Sequence, residues 1–175
     1  MDAFILDVAG LRGEIGVSDC VSGSLALDTF DIAGVACRFN EPAVLEATIT
    51  NTGDGFLLLG HVRAKAAVAC SRCLADIEIE VVAPLDTLFA DSNLLTPDED
   101  QDIVELHSDA VDIGPSVEAA VRLELPLAPL CEEGCKGICA TCGTDLNTSE
   151  CGCCDEAAEE GPFSALEGFF DGNAE

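Results

Sequence analysis

Eight of the eleven cysteines in this chain fall into close pairs: Cys70/Cys73, Cys131/Cys135, Cys139/Cys142 and Cys151/Cys153. A Cys-x-x-Cys turn presents two thiolates from one tight knuckle, and four thiolates hold one Zn²⁺ in a tetrahedron. Two pairs close one site, and four pairs suffice for two. The expected partition joins Cys70, Cys73, Cys131 and Cys135 in one site, and Cys139, Cys142, Cys151 and Cys153 in a second, local one. A competing partition joins Cys70/Cys73 with Cys139/Cys142. In either case the expected cofactor is structural Zn²⁺, one or two ions. Cys20, Cys37 and Cys154 have no partner at such spacing.

Disulfides are the main competitor for these thiols. An odd cysteine count fits a secreted disulfide framework poorly. The opening Met1-Asp2-Ala3-Phe4-Ile5-Leu6-Asp7 has neither the basic region nor the long apolar core of a signal peptide. No apolar run approaches the length of a membrane span. A cytoplasmic location is expected, where thiols stay reduced and clustered cysteines bind metal more often than they pair.

Little else in the chain could do chemistry. His61 and His107 are far apart in sequence. His61 falls on the polar face of a strand, and His107 lies near a loop as a weak candidate ligand. There is no Ser-His-Asp constellation and no phosphate-binding Gly-x-x-x-x-Gly-Lys-Ser/Thr loop. Carboxylates abound, but abundance without a pocket does not identify an acid/base pair. A catalytic zinc would keep a position open for water, whereas paired cysteines close the site. No enzymatic activity and no small-molecule substrate are expected.

The elements that must position the cysteines can be read in outline. The 175 residues carry 49% hydrophobic side chains but no Trp or Tyr, so the core is built from Val, Leu, Ile, Ala and Phe. Residues 3–40 read as short strands and loops, with Leu25, Leu27, Phe30 and Ile32 as core candidates. Residues 43–50 form a strand, Asn51-Thr52-Gly53-Asp54-Gly55 a turn, and residues 56–69 a long strand. Placing Ser71-Arg72 at a hairpin tip pairs Cys70 with Cys73, Lys65 with Glu78 and Arg63 with Glu80. It also pairs Ala66 with Ile77, Ala64 with Ile79 and Val62 with Val81. On this reading Arg63 and Lys65 neutralise strand carboxylates and form no RNA patch.

Residues 91–112 read as a poor folding segment, with the acidic run Asp98–Asp102 as a solvated loop. A helix is expected from Pro115 to about Leu125. Ile113, Val117, Val121 and Leu125 share one face, Glu118 and Arg122 form an i,i+4 pair, and Pro126 ends it. The fold class expected is α+β: a β-rich antiparallel sheet with a cysteine-knuckle hairpin, one packed helix and a C-terminal zinc-ribbon-like segment. Three regions follow. Residues 1–130 form the β-rich core domain with its helix, and residues 131–154 the cysteine-rich, zinc-binding segment closing onto it. Residues 155–175 form an acidic tail with a short amphipathic stretch, in which Phe163, Leu166 and Phe170 share a face.

The order of motifs resembles a known family. Asn51-Thr52-Gly53-Asp54-Gly55 precedes a long strand, followed by Cys70-Ser71-Arg72-Cys73-Leu74. Leu125-Pro126-Leu127 then leads to Leu130-Cys131, and Cys135-Lys136-Gly137-Ile138-Cys139-Ala140-Thr141-Cys142-Gly143-Thr144-Asp145-Leu146-Asn147 follows. This set is similar to the YceD-like family, the large ribosomal RNA subunit accumulation proteins. The resemblance implies a bacterial cytoplasmic, non-enzymatic factor in large-subunit ribosomal RNA accumulation and ribosome assembly.

Charge bears on the partner. The formal net charge is −27, and a polyanion lacks the Lys and Arg that neutralise phosphates or anionic membrane surfaces. The terminal segment, usually basic in the family, is acidic here. The expected partner is therefore a basic ribosomal protein or assembly factor, with direct RNA contact left open, phosphates being repelled except near a local patch at Arg72 and Lys136, and no membrane partner. Two alternatives stand beside this reading. One is a general zinc-ribbon protein-interaction module. The other is a thiol redox or metal-carrier protein, which needs low-pKa thiolates near positive charge.

Overall fold

A computed structural model of the chain describes residues 4–32, 34–90, 103–106 and 109–153. It has the expected α+β class, with nine strands and one α-helix among the described residues. In chain order these are β1 (Ile5–Asp7), β2 (Ser18–Leu25), β3 (Phe30–Ile32), β4 (Val35–Phe39), β5 (Ala43–Asn51), β6 (Gly55–Ala69), β7 (Asp76–Ala90), β8 (Ile103–Glu105), β9 (Ala110–Asp112) and α1 (Gly114–Glu124).

The chain divides into two compact units. One comprises Met1–Ala69 and Asp76–Pro129, and the other Cys70–Ala75 and Leu130–Glu175. The first unit is built on a seven-stranded sheet. Its spine is β6. Along one edge β6 pairs antiparallel with β5 and, nearer its end, with β4; along the other it pairs with β7 throughout. β2 flanks β5, and β3 flanks β4. β1 and β9 form a separate two-stranded sheet.

Strict alternation explains why β6 and β7 are long strands. Successive side chains of a strand face opposite sides. Phe56, Leu58, Val62, Ala64, Ala66 and Val68 of β6 turn inward, as do Val81, Ala83, Leu85 and Phe89 of β7. α1 packs on this layer and buries Val117 and Val121. It begins where Pro115 suits the first turn and where the Asp112 carboxylate accepts the Gly114 N–H at 2.9 Å. Arg122 pairs with Glu118 and stands over the Phe30 ring, 4.6 Å from its centroid. Leu25, Leu27 and Phe30 are buried, and Ile32 packs against the same core.

Two sequence expectations need correction. The hairpin register is shifted by two residues: Lys65 lies opposite Glu80, Ala66 opposite Ile79, Ala64 opposite Val81, Arg63 opposite Val82 and Val62 opposite Ala83. A two-residue slip keeps every side chain on its own face, so alternation accepts both settings. The turn decides. Strand pairing ends at Ala69 and Asp76, and the six residues between them make a wider turn than a two-residue tip. Lys65 is paired chiefly with Glu41, at 3.3 Å, which raises its pKa, with smaller contributions from Glu78 and Glu80.

The second correction concerns residues 91–112. They hold β8, which runs parallel to the end of β7, and β9, which pairs with β1. The acidic run at 98–102 and the amphipathic stretch at 162–170 lie outside the described residues, as do His107 and Cys154.

Candidate metal centres

Both cysteine clusters lie in the second unit. Each starts from a knuckle, and the two knuckles share one hydrogen-bond pattern. In Cys70–Ala75, the Cys70 N–H donates to the Ala75 carbonyl at 2.8 Å, and the Leu74 N–H donates to the Cys70 carbonyl at 2.9 Å. In Cys139–Thr144, the Cys139 N–H donates to the Thr144 carbonyl at 2.8 Å, and the Gly143 N–H to the Cys139 carbonyl at 2.8 Å. The fifth residue is left-handed in both, Leu74 at φ 61° and Gly143 at φ 72°. That turn folds the backbone N–H groups of the loop over the first sulfur.

The electrostatics follow. The Cys73 backbone N–H is the largest influence on Cys70 and, with that of Arg72 and against the cost of burial, pulls the thiol down to about 6. The Cys142 backbone N–H, then that of Thr141, does the same for Cys139, also to about 6. The partners go the other way. Cys131 is pushed up to about 12, first by the Cys135 thiol and then by Cys73 and burial. At Cys151 the Cys153 backbone N–H pulls down, but the Cys139 thiol and burial prevail and raise it to about 12. Four sulfurs this close cannot all ionise without a cation among them, so binding a metal must release protons.

The first cluster is Cys70, Cys73, Cys131 and Cys135; the second is Cys139, Cys142, Cys151 and Cys153. Within each, the four sulfurs lie within 4.8 Å of one another. Cys70 Sγ is 3.8 Å from Cys135 Sγ, and Cys73 Sγ is 3.6 Å from Cys131 Sγ. A tetrahedron with metal–sulfur bonds of about 2.3 Å has an edge of about 3.8 Å. The donor set therefore fits a four-coordinate, thiophilic metal, and both groups could hold one. The alternative grouping of Cys70/Cys73 with Cys139/Cys142 does not occur. No other cluster of three or more potential ligands is found among the described residues.

Three residues that carried no ligand signal in the sequence hold these clusters in place. The Arg72 guanidinium donates to the Cys135 carbonyl at 2.8 Å, and its own carbonyl accepts the Ile138 N–H at 3.2 Å. Arg72 is thus engaged in the knuckle through one guanidinium N–H while its side chain remains exposed. Gly137 has φ 78°, and a Cβ there would stand 3.0 Å from the Arg72 carbonyl oxygen. Asn147 accepts the Lys136 N–H at 2.7 Å, and its amide nitrogen lies 3.4 Å from Cys135 Sγ.

The remaining candidates sit apart. Cys20 is exposed on β2, and Cys37 is buried on β4, where burial and then the Asp31 charge raise its pKa. His61 Nε2 is 3.1 Å from the Glu46 carboxylate, its neighbour across the sheet. Among the described residues no helix is long and apolar enough to cross a membrane.

With this geometry in hand, comparison with known proteins is informative. A family model described as "Large ribosomal RNA subunit accumulation protein YceD" matches residues 58–170, which includes all eight clustered cysteines. An uncharacterized protein of Mycobacterium leprae is 32% identical over 115 residues, covering 64% of this chain and 52% of the relative. A Zea mays protein named "Large ribosomal RNA subunit accumulation protein YCED homolog 1, chloroplastic" is 29% identical over 175 aligned residues, covering 83% of this chain and 59% of the relative. The chain spans about half the length of the mycobacterial relatives it matches. No solved structure matches. With a match over more than half its length and every cysteine pair inside it, the chain belongs to the YceD family of large ribosomal RNA subunit accumulation proteins.

Proposed function

We propose that this protein supports the accumulation of large-subunit ribosomal RNA as a non-enzymatic, cytoplasmic assembly factor carrying two structural Zn²⁺ ions. The observation that carries the reading is the family match over residues 58–170. The two four-cysteine clusters support the metal part, because four thiolates fill a tetrahedral zinc and leave no position for substrate or water. Zinc is the metal of choice for such a set in a structural role, since it has no redox chemistry of its own.

The net charge of −27 argues for a basic ribosomal protein or assembly factor as first contact, because ribosomal RNA phosphates repel a polyanion. Depletion of the protein should lower large-subunit ribosomal RNA relative to small-subunit RNA and shift ribosome profiles toward incomplete large particles. Re-expression should restore both. Unchanged RNA ratios and profiles after full depletion would sink the proposal. Pull-downs at rising salt test the partner: a basic ribosomal component should be recovered at low salt and lost as screening increases. Tight binding of purified large-subunit RNA at physiological salt, with no protein present, would contradict it.

A further inference from the structure

Asn147 lies in the loop between Cys142 and Cys151, and so belongs by sequence to the second cluster. Its side chain serves the first. The amide nitrogen donates toward Cys135 Sγ at 3.4 Å, and the amide oxygen accepts the Lys136 N–H at 2.7 Å, beside the same cysteine. The second amide hydrogen is held by the Asp145 carboxylate at 2.9 Å, which fixes the side chain's orientation.

The loop carrying Asn147 is anchored to the same stretch by its backbone. The Leu146 N–H donates to the Gly137 carbonyl at 2.9 Å, and Asp145 bridges to Ile138. Ile138 in turn donates to the Arg72 carbonyl in the first knuckle. An unbroken path thus runs from the loop of the second cluster to a sulfur and a knuckle of the first.

From this we infer that the two metal sites are thermodynamically coupled, with Asn147 as the positioning residue that transmits the coupling. The inference rests on the metal-binding reading above. An ion in the second cluster draws Cys142 and Cys151 together and so fixes both ends of the loop. The fixed loop presents the Asn147 N–H to Cys135, where it stabilises the thiolate that the first ion needs. Hydrogen bonds from groups around a metal site commonly change its affinity ten- to hundred-fold. Because coupling free energies are reciprocal, an ion in the first cluster favours filling of the second by the same factor.

Cobalt(II) titration of the reduced, metal-free full chain against a competing chelator tests this. The probe reports tetrahedral thiolate ligation through its visible bands. Cys151→Ser and Cys73→Ser isolate the first and second sites respectively. The product of the two wild-type association constants should exceed the product of these single-site constants about ten- to hundred-fold. In an Asn147→Ala background that excess should vanish.

A spectroscopic change should accompany the loss. An N–H bond to a thiolate lowers the energy of its sulfur lone pairs, so its removal should move the sulfur-to-cobalt charge-transfer band of the first site to lower energy. Asn147→Asp keeps the acceptor for the Lys136 N–H, loses the donor to sulfur and adds a negative charge beside Asp145 and Cys135, so it should lower affinity at least as far as Asn147→Ala. A wild-type product within twofold of the single-site product overturns the coupling, and an excess that survives Asn147→Ala overturns the role of Asn147. Absence of any tetrahedral thiolate spectrum in the wild-type chain overturns the metal reading itself.

Discussion

The two knuckles have the same backbone and opposite settings in the chain. Cys70–Ala75 lies between two fifteen-residue strands, and its ligand partners come from far along the sequence, 58 residues separating Cys73 from Cys131. Cys139–Thr144 finds its partners a few residues on, at Cys151 and Cys153. Loop-closure cost grows by only about 0.6 kcal/mol per doubling of length, so the longer span costs the first site about 1–2 kcal/mol more to close. What differs is the consequence: a metal in the first cluster would fix the turn of the longest hairpin, and one in the second would fix a local loop.

Breaking each site in turn should expose that difference. Cys73→Ser should give the largest effect, because a structural zinc contributes about 10 kcal/mol or more of apparent binding free energy, comparable with the whole stability of a domain. Hydrogen exchange should show protection lost at the knuckle and at the flanking rungs Ala69 and Asp76. Cys151→Ser should leave those rungs protected and loosen only the loop around Leu146 and Asn147. Equal loss across the sheet in both variants would erase the distinction between a distant and a local site.

Smaller changes sharpen the comparison of the knuckles themselves. Gly143 sits at φ 72° with no atom within 4 Å of a Cβ placed there. Gly143→Ala therefore isolates the backbone penalty and should cost about 1–2 kcal/mol in thermal unfolding of the metal-loaded protein. Arg72→Met removes the bond to the Cys135 carbonyl and should cost about 1 kcal/mol in zinc affinity by chelator competition. Leu74→Gly should act in the opposite direction, stabilising the first knuckle by about 1 kcal/mol. Leu74 is 64% exposed at φ 61°, so little packing is lost to offset the relief. A destabilised Leu74→Gly protein would mean that the leucine side chain makes a contribution its exposure does not suggest.

These contrasts also explain what could be read from the sequence. α1 was legible because Ile113, Val117 and Val121 repeat along one face, Pro115 suits its first turn and Pro126 ends it. The faces of β6 and β7 were legible because alternation runs unbroken through both. Their register was not, because alternation repeats every two residues and only the width of the Cys70–Ala75 turn selects between settings. β8 and β9 escaped notice because three residues carry too little pattern, and the parallel pairing of β8 has no local signature. The cysteine pairs announced themselves by spacing, but the grouping of pairs remained open between two partitions. Asn147 was invisible as a participant, since a polar residue in a loop gains its role only when Cys135 is brought beside it.

The two settings open to β6 and β7 have a kinetic side. Both bury the same inward row, and the alternative setting offers the favourable pairs Lys65–Glu78 and Arg63–Glu80. A chain collapsing with its cysteine clusters empty therefore faces a misaligned hairpin of nearly matched burial, which can be left only by unzipping. With an ion bound, the sulfur cluster at the turn would act as an alignment pin: the misaligned hairpin, with its shorter tip, lacks the six-residue knuckle on which such an ion would close. Metal supply during synthesis would then govern the yield of correctly zipped protein more strongly than it governs the stability of protein already folded.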